Sequence, residues 1–151
     1  MLRDATLRTF LELCPADLIA EHNKSENRIE LKNGSTILFR SADRPDGLRG
    51  PNINWIYLDE GAYVAEESYK VIVGRLRRWP ARLWVTTTPK GHNWVYRRFV
   101  KSPSKQHSLH TASTLSNPYL PTDFVESLVE EYGDTPFALQ ELDGRFVDLS
   151  G

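Results

Sequence analysis

Between residues 2 and 14 the apolar positions Leu2, Leu7, Phe10, Leu11 and Cys14 fall close to one helical stripe, which predicts a helix over 2–13. Pro15 punctuates it, and Leu18 and Ile19 predict a short second helix. Arg28-Ile29-Glu30-Leu31-Lys32 then alternates strictly, as a half-buried strand does. Asn33-Gly34 is a hairpin signal, and Thr36 to Arg40 read as the returning strand. A polar loop rich in Gly, Pro and Arg follows from Ser41 to Asn54. Trp55 to Leu58 form a continuous apolar run, the pattern of a strand buried on both faces of a parallel sheet. Glu66 to Trp79 predict a helix with Tyr69, Ile72, Val73 and Leu76 on its apolar stripe, stopped by Pro80. Leu83-Trp84-Val85 is the next buried strand, so strand, helix and strand together have the size of one βαβ unit with a right-handed crossover.

Beyond that unit, Asn93 to Lys101 predict a helix with Asn93 as its N-cap, and Ser108 to Thr111 predict a strand. Phe124, Leu128, Val129 and Tyr132 mark a helix ended by Gly133. A last helix has Thr135 as N-cap, Pro136 at its first position and Gly144 as its close. The fold class is therefore α/β: a parallel sheet with flanking helices, plus a β-hairpin near residues 28–40.

Composition narrows the function classes. The 151 residues are long enough for one domain with a core, and their apolar (40%) and charged (26%) shares are those of an ordinary globular chain. A net charge of −1 leaves any nucleic-acid surface to a local patch. Cys14 is the only cysteine, which excludes an internal disulfide and a thiolate zinc site. No apolar run approaches the ~18 residues of a membrane-spanning helix, and Arg3, Asp4 and Arg8 break up any signal-peptide core.

The chemistry concentrates at two strand ends. Ile56-Tyr57-Leu58 runs into Asp59-Glu60, and Leu83-Trp84-Val85 runs into Thr86-Thr87-Thr88-Pro89-Lys90-Gly91. Ligands of open α/β sheets sit at the carboxyl ends of strands. Asp59 there suits Mg²⁺ bound mostly through water, because that ion dehydrates reluctantly. Glu60 suits the orientation or deprotonation of a water that attacks a γ-phosphate. Successive strand side chains point oppositely, so the two acids would take separate tasks. The threonine hydroxyls would reach the phosphate, the water or Glu60. Each element alone also fits a plainer reading: a strand ending in polar residues, and a β-favouring threonine run closed by a Pro turn. The two together, at βαβ spacing, favour a nucleotide site. The phosphate loop G-x-x-x-x-G-K-[ST] is not in these residues, since Lys24-Ser25 follows Asn23 and Lys101-Ser102 follows Val100. The acids form half a site.

These residues resemble the ATPase domain of the large terminase subunit, the motor that packages DNA into the capsids of tailed bacteriophages. The resemblance runs nearly end to end: Met1 to Arg8, Leu31 to Ile37, Leu48-Arg49-Gly50, Tyr57 to Gly61, Thr86 to Gly91, Asn117 to Leu120, and Gln140 to Phe146. It implies a partial P-loop NTPase fold of the ASCE type over 1–151. Walker B and coupling motifs would be present, and the Walker A loop and C-terminal nuclease domain would lie outside the chain. It implies that Asp59 and Glu60 are the Walker B pair, with Glu60 catalytic and Asp59 on Mg-ATP. Thr87, Thr88 and Pro89 would match the motif coupling hydrolysis to movement. Arg49 would be an arginine finger acting in trans, although a solvated loop arginine beside Asp43 or Asp46 is the plainer reading.

The cofactors implied are Mg²⁺ and ATP in the complete domain. The partners are double-stranded viral DNA, other terminase subunits in a ring, the portal and the small terminase, in the host bacterial cytoplasm. Arg97, Arg98 and Lys101 are the DNA-contact candidates within a wider basic cluster, and a solvated helix face is their plainer reading. The competing function is a non-catalytic nucleic-acid-binding or assembly module, or a prophage remnant without hydrolytic activity, self-associating through an exposed sheet edge. His107 and His110 have no third ligand nearby in sequence and are discounted as a metal pair.

Overall fold

The computed structural model describes residues 2–148, with side chains described from Ala5 onward. It divides into two compact units, one of the residues up to Ile56 with Ala65–Leu83, the other of Tyr57–Val64 with the chain from Trp84 onward.

In the first unit, helix α1 (Leu2–Leu13) forms as its stripe predicts, with Leu7, Phe10 and Cys14 half-buried and Leu11 exposed. The Leu2 side chain lies outside the described residues. Phe10 meets Phe39 edge-on at 5.6 Å between ring centroids. The expected second helix is only a 3₁₀ turn, Ala16–Leu18. Ile19 instead opens strand β1 (Ile19–Asn23), which pairs antiparallel with β2 (Arg28–Leu31). The Lys32 amide donates to the Leu18 carbonyl at 2.9 Å, so the ladder takes this segment from any helix. Strand β3 (Thr36–Leu38) returns through the Asn33-Gly34 turn and pairs antiparallel with β2, setting Ile37 opposite the fully buried Ile29. The hairpin thus belongs to a three-stranded sheet ordered β1-β2-β3, with β2 at its centre. Arg28 holds Glu21, Glu26 and Glu30 along its outer side.

Strands β4 (Trp55–Leu58) and β5 (Arg82–Val85) pair in a two-stranded sheet. The Arg82 amide donates to Asn54 O and the Thr86 amide to Leu58 O, both at 3.0 Å, so the strands run parallel. The expectation that both strands are buried fails: Ile56, Leu58, Leu83 and Val85 lie on the more buried face, whereas Trp55, Tyr57 and Trp84 are 41%, 45% and 53% exposed.

Helix α2 (Glu66–Val73) stops at Gly74, well before Pro80. A helical glycine costs about 1 kcal/mol relative to alanine, and the chain beyond it has a better use. The Ile53 amide donates to Arg75 O at 2.8 Å, and Leu76 bridges Ile53 in parallel. Tyr69 and Ile72 are buried as expected, and Val73 is exposed.

In the second unit, Asn93 caps its helix by accepting from the Val95 and Tyr96 amides. From Tyr96 to Lys101 the helix widens to the π form. Trp94 is buried, and its indole N–H donates to Val64 O at 2.7 Å. The stretch 108–111 is not a strand. Helices α3 (Thr122–Tyr132) and α4 (Pro136–Glu141) meet through Tyr132 and Phe137, edge-on at 4.9 Å. Thr135 caps α4 by accepting from the Ala138 amide at 3.1 Å. Gly133 and Gly144 follow the helices at positive φ, as their positions predict.

Candidate nucleotide site

The candidate residues at the ends of β4 and β5 all fall in the second unit. Alternation along β4 puts Tyr57 on the exposed face, and Asp59, two residues on, continues that face. Alternation along β5 does the same for Trp84 and Thr86. The three polar tips meet. The Tyr57 hydroxyl lies 2.9 Å from Thr86 Oγ1 and 3.2 Å from Asp59 Oδ1. Thr86 Oγ1 donates to Asp59 Oδ1 at 3.0 Å, and the Glu60 amide donates to the same oxygen at 3.1 Å.

Glu60 departs from the strand. Its backbone is left-handed, at φ 50 and ψ 46, a conformation costing a non-glycine residue about 1–2 kcal/mol. The two acids therefore diverge as expected, through a backbone turn rather than strand pleat. Asp59 is exposed, whereas Glu60 Oε2 is buried without a hydrogen-bond partner. An orphaned buried carboxylate oxygen is costly, and a water or ligand reaching it would complete the arrangement. A 3₁₀ turn, Gly61–Tyr63, follows immediately. Gly61 is required there: its amide donates to Thr86 O at 3.0 Å, and a Cβ on it would collide with the Val85 side chain.

The threonines divide their work. Thr86 is tied to Asp59, not to Glu60. Thr87 Oγ1 accepts from the Ala62 amide at 3.0 Å and donates to Thr88 O at 2.9 Å, stitching the turn after Glu60 to the tip of β5. Pro89 is buried behind them. The Asn93 side-chain amide donates to Ala62 O, and buried Gln140 accepts from the Gly91 amide at 2.8 Å. Tyr57, Asn93 and Gln140 thus support the site in ways that sequence reading missed. Alternation past Leu58 was the available signal for Tyr57; Gln140 left none.

The other candidates each have their own local setting. Arg49 follows the 3₁₀ turn Pro45–Leu48, exposed, with its Nε 3.1 Å from Asp46 Oδ1. Arg97, Arg98 and Lys101 lie on the π-helical segment, with Arg97 and Lys101 exposed and Arg98 half-buried. Among the described residues no three His, Cys, Asp or Glu side chains form a metal-holding group. His107 instead accepts from the Ser104 amide and packs near Phe99.

Comparison with known proteins decides the family. The family model described as "Phage terminase large subunit" matches residues 5–138. The chain belongs to the phage terminase large subunit family. It is 28% identical over 144 residues to the PBSX phage terminase large subunit of Bacillus subtilis, covering 79% of this chain and 33% of that one. It is 33% identical over 89 residues to the terminase large subunit of Thermus phage G20c, covering 55% of this chain and 18% of that one. The chain therefore spans a third or less of these relatives' length. Among solved structures it resembles the large terminase ATPase domain of Thermus phage P74-26, at a TM-score of 0.69 and 22% identity, over 97% of this chain and 72% of that one. A mutant of the same domain matches at 0.68 and 19%. At such identity the likeness speaks to fold alone. No described helix is long and apolar enough to cross a membrane.

Proposed function

We propose that residues 1–151 are the part of a large terminase ATPase domain that carries the Walker B half of its nucleotide site, within an ATP-driven motor that packages viral DNA. The observation that carries this reading is Glu60 Oε2, buried and unpartnered in a left-handed turn beside Asp59 and the threonine tip. In this role Glu60 orients and deprotonates the water attacking the γ-phosphate of ATP. Asp59 holds Mg²⁺. The donors fit that ion: an exposed carboxylate and a hydroxyl, with no metal-holding group of three acids among the described residues, suit a cation that keeps most of its water. When bound, Mg²⁺ neutralises charge on the phosphate oxygens.

Thr87 and Thr88 form the coupling motif. The Thr87 bond to the Ala62 amide gives a route from the Glu60 turn to the segment after β5. Arg49 is the trans-acting finger, released from Asp46 when a neighbouring subunit presents its phosphates; an exposed pair of this kind is worth about 0–1 kcal/mol and yields readily. Arg97, Arg98 and Lys101 contribute positive charge toward double-stranded DNA. Other terminase subunits, the portal and the small terminase complete the motor in the host cytoplasm.

The test is phosphate release by a full-length large terminase carrying these residues. Glu60→Gln lowers the rate by about 10²–10⁴-fold while ATP still binds. A rate equal to wild type contradicts the catalytic role. Arg49→Ala loses activity and regains part of it on mixing with the Glu60 variant, because each supplies what the other lacks across a subunit boundary. No recovery on mixing contradicts the trans role.

A further inference from the structure

Tyr57 has no place in the proposed chemistry, yet its hydroxyl joins the polar contacts that converge on Asp59 at the end of β4. Three donors converge on one oxygen, Asp59 Oδ1: the Tyr57 hydroxyl at 3.2 Å, Thr86 Oγ1 at 3.0 Å and the Glu60 amide at 3.1 Å. The two hydroxyls also touch each other at 2.9 Å. Each has one proton, so they either both donate to Asp59 or relay, one donating to the other and that one to Asp59. A carboxylate only accepts, so every arrangement ends on Oδ1. A side chain held at one oxygen by groups from two strands and its own following amide has little freedom to rotate. Linked hydrogen bonds of this kind also strengthen one another.

We propose that Tyr57 and Thr86 are positioning residues that fix the orientation in which the Asp59 carboxylate receives a divalent cation. The inference rests on the reading of Asp59 as the metal-holding acid. Hydrogen-bond partners of a metal-holding carboxylate typically alter metal affinity by about 10–100-fold when removed. Tyr57 suits the task because it is rigid, half-exposed and anchored by its strand, and Phe at this position would keep the ring and lose only the hydroxyl.

The experiment titrates this chain with Mn²⁺ as the probe and follows paramagnetic broadening of the Glu60 and Gly61 amide signals. Wild type, Tyr57→Phe, Thr86→Val, Thr86→Ser and Asp59→Asn are compared, with urea unfolding measured on each. Tyr57→Phe and Thr86→Val each raise the Mn²⁺ concentration for half-broadening about 10-fold or more. Thr86→Ser, which keeps the hydroxyl, restores the wild-type value, and Asp59→Asn abolishes saturable broadening. If Asp59→Asn abolishes binding while Tyr57→Phe and Thr86→Val bind as wild type, the positioning role is overturned and the reading of Asp59 survives. If wild type shows no saturable broadening, or Asp59→Asn binds as wild type, the reading of Asp59 falls and takes this inference with it.

Discussion

Glu60 stands in a left-handed turn that glycine or asparagine would occupy at less cost, and its Oε2 is buried without a partner. Both features cost stability, and structures keep such costs chiefly where function uses them. Glu60→Gln, which keeps the shape of the side chain, should therefore unfold in urea at an equal or higher midpoint than wild type. A drop of more than about 1 kcal/mol would mean that the carboxylate has a structural partner. Gly61→Ala should behave oppositely. Its Cβ meets the stiff Val85 side chain, and overpacking of this kind costs about 1–3 kcal/mol. A midpoint unchanged in urea would contradict the close approach of β5. The Asp59-Glu60 pair was legible in sequence because an apolar run ending in acids is a local pattern. The turn at Glu60 was not legible, because it is imposed by the ladder partner of Gly61, 25 residues away at Thr86.

At the scale of elements, capping chemistry read true. Asn93, Thr135 and Gly133 each sit where their side chain or backbone freedom predicts. Thr135→Ala should cost about 1 kcal/mol, seen as a lowered thermal midpoint; an unchanged midpoint would contradict the cap. Elements set by tertiary pairing were harder. Strand β1 has no apolar alternation in Ile19-Ala20-Glu21-His22-Asn23 and exists because β2 offers it a ladder. Helix α2 ends early because residues beyond Gly74 pair with Ile53. Residues 108–111 carry strand-like side chains and make no ladder among the described residues. The bond from the Gly91 amide to buried Gln140 ties the segment after the threonine tip to α4 across 49 positions. Gln140→Ala leaves that amide without its partner and should cost about 1–3 kcal/mol, with faster hydrogen exchange at Gly91. Exchange equal to wild type would show that the bond does not hold in solution.

For the whole molecule, the family match over residues 5–138 agrees with a resemblance spread over seven short segments of sequence, none decisive alone. The fold was legible because alternation, punctuation and strand-end chemistry agree in order and spacing. The 151 residues contain no G-x-x-x-x-G-K-[ST] loop, so the backbone amides and lysine that cradle β- and γ-phosphates are not among them. This chain alone should accordingly release no phosphate from ATP above background in a colorimetric assay. Turnover that disappears in Glu60→Gln would contradict that expectation. The most direct measurement is a structure of a full-length large terminase carrying these residues, bound to Mg²⁺ and a non-hydrolysable ATP analogue. The account predicts a water in line with the terminal phosphate within about 2.6–3.2 Å of Glu60 Oε2, with Asp59 facing the cation. A terminal phosphate bound away from the ends of β4 and β5, with Glu60 Oε2 still buried and touching nothing, would contradict it.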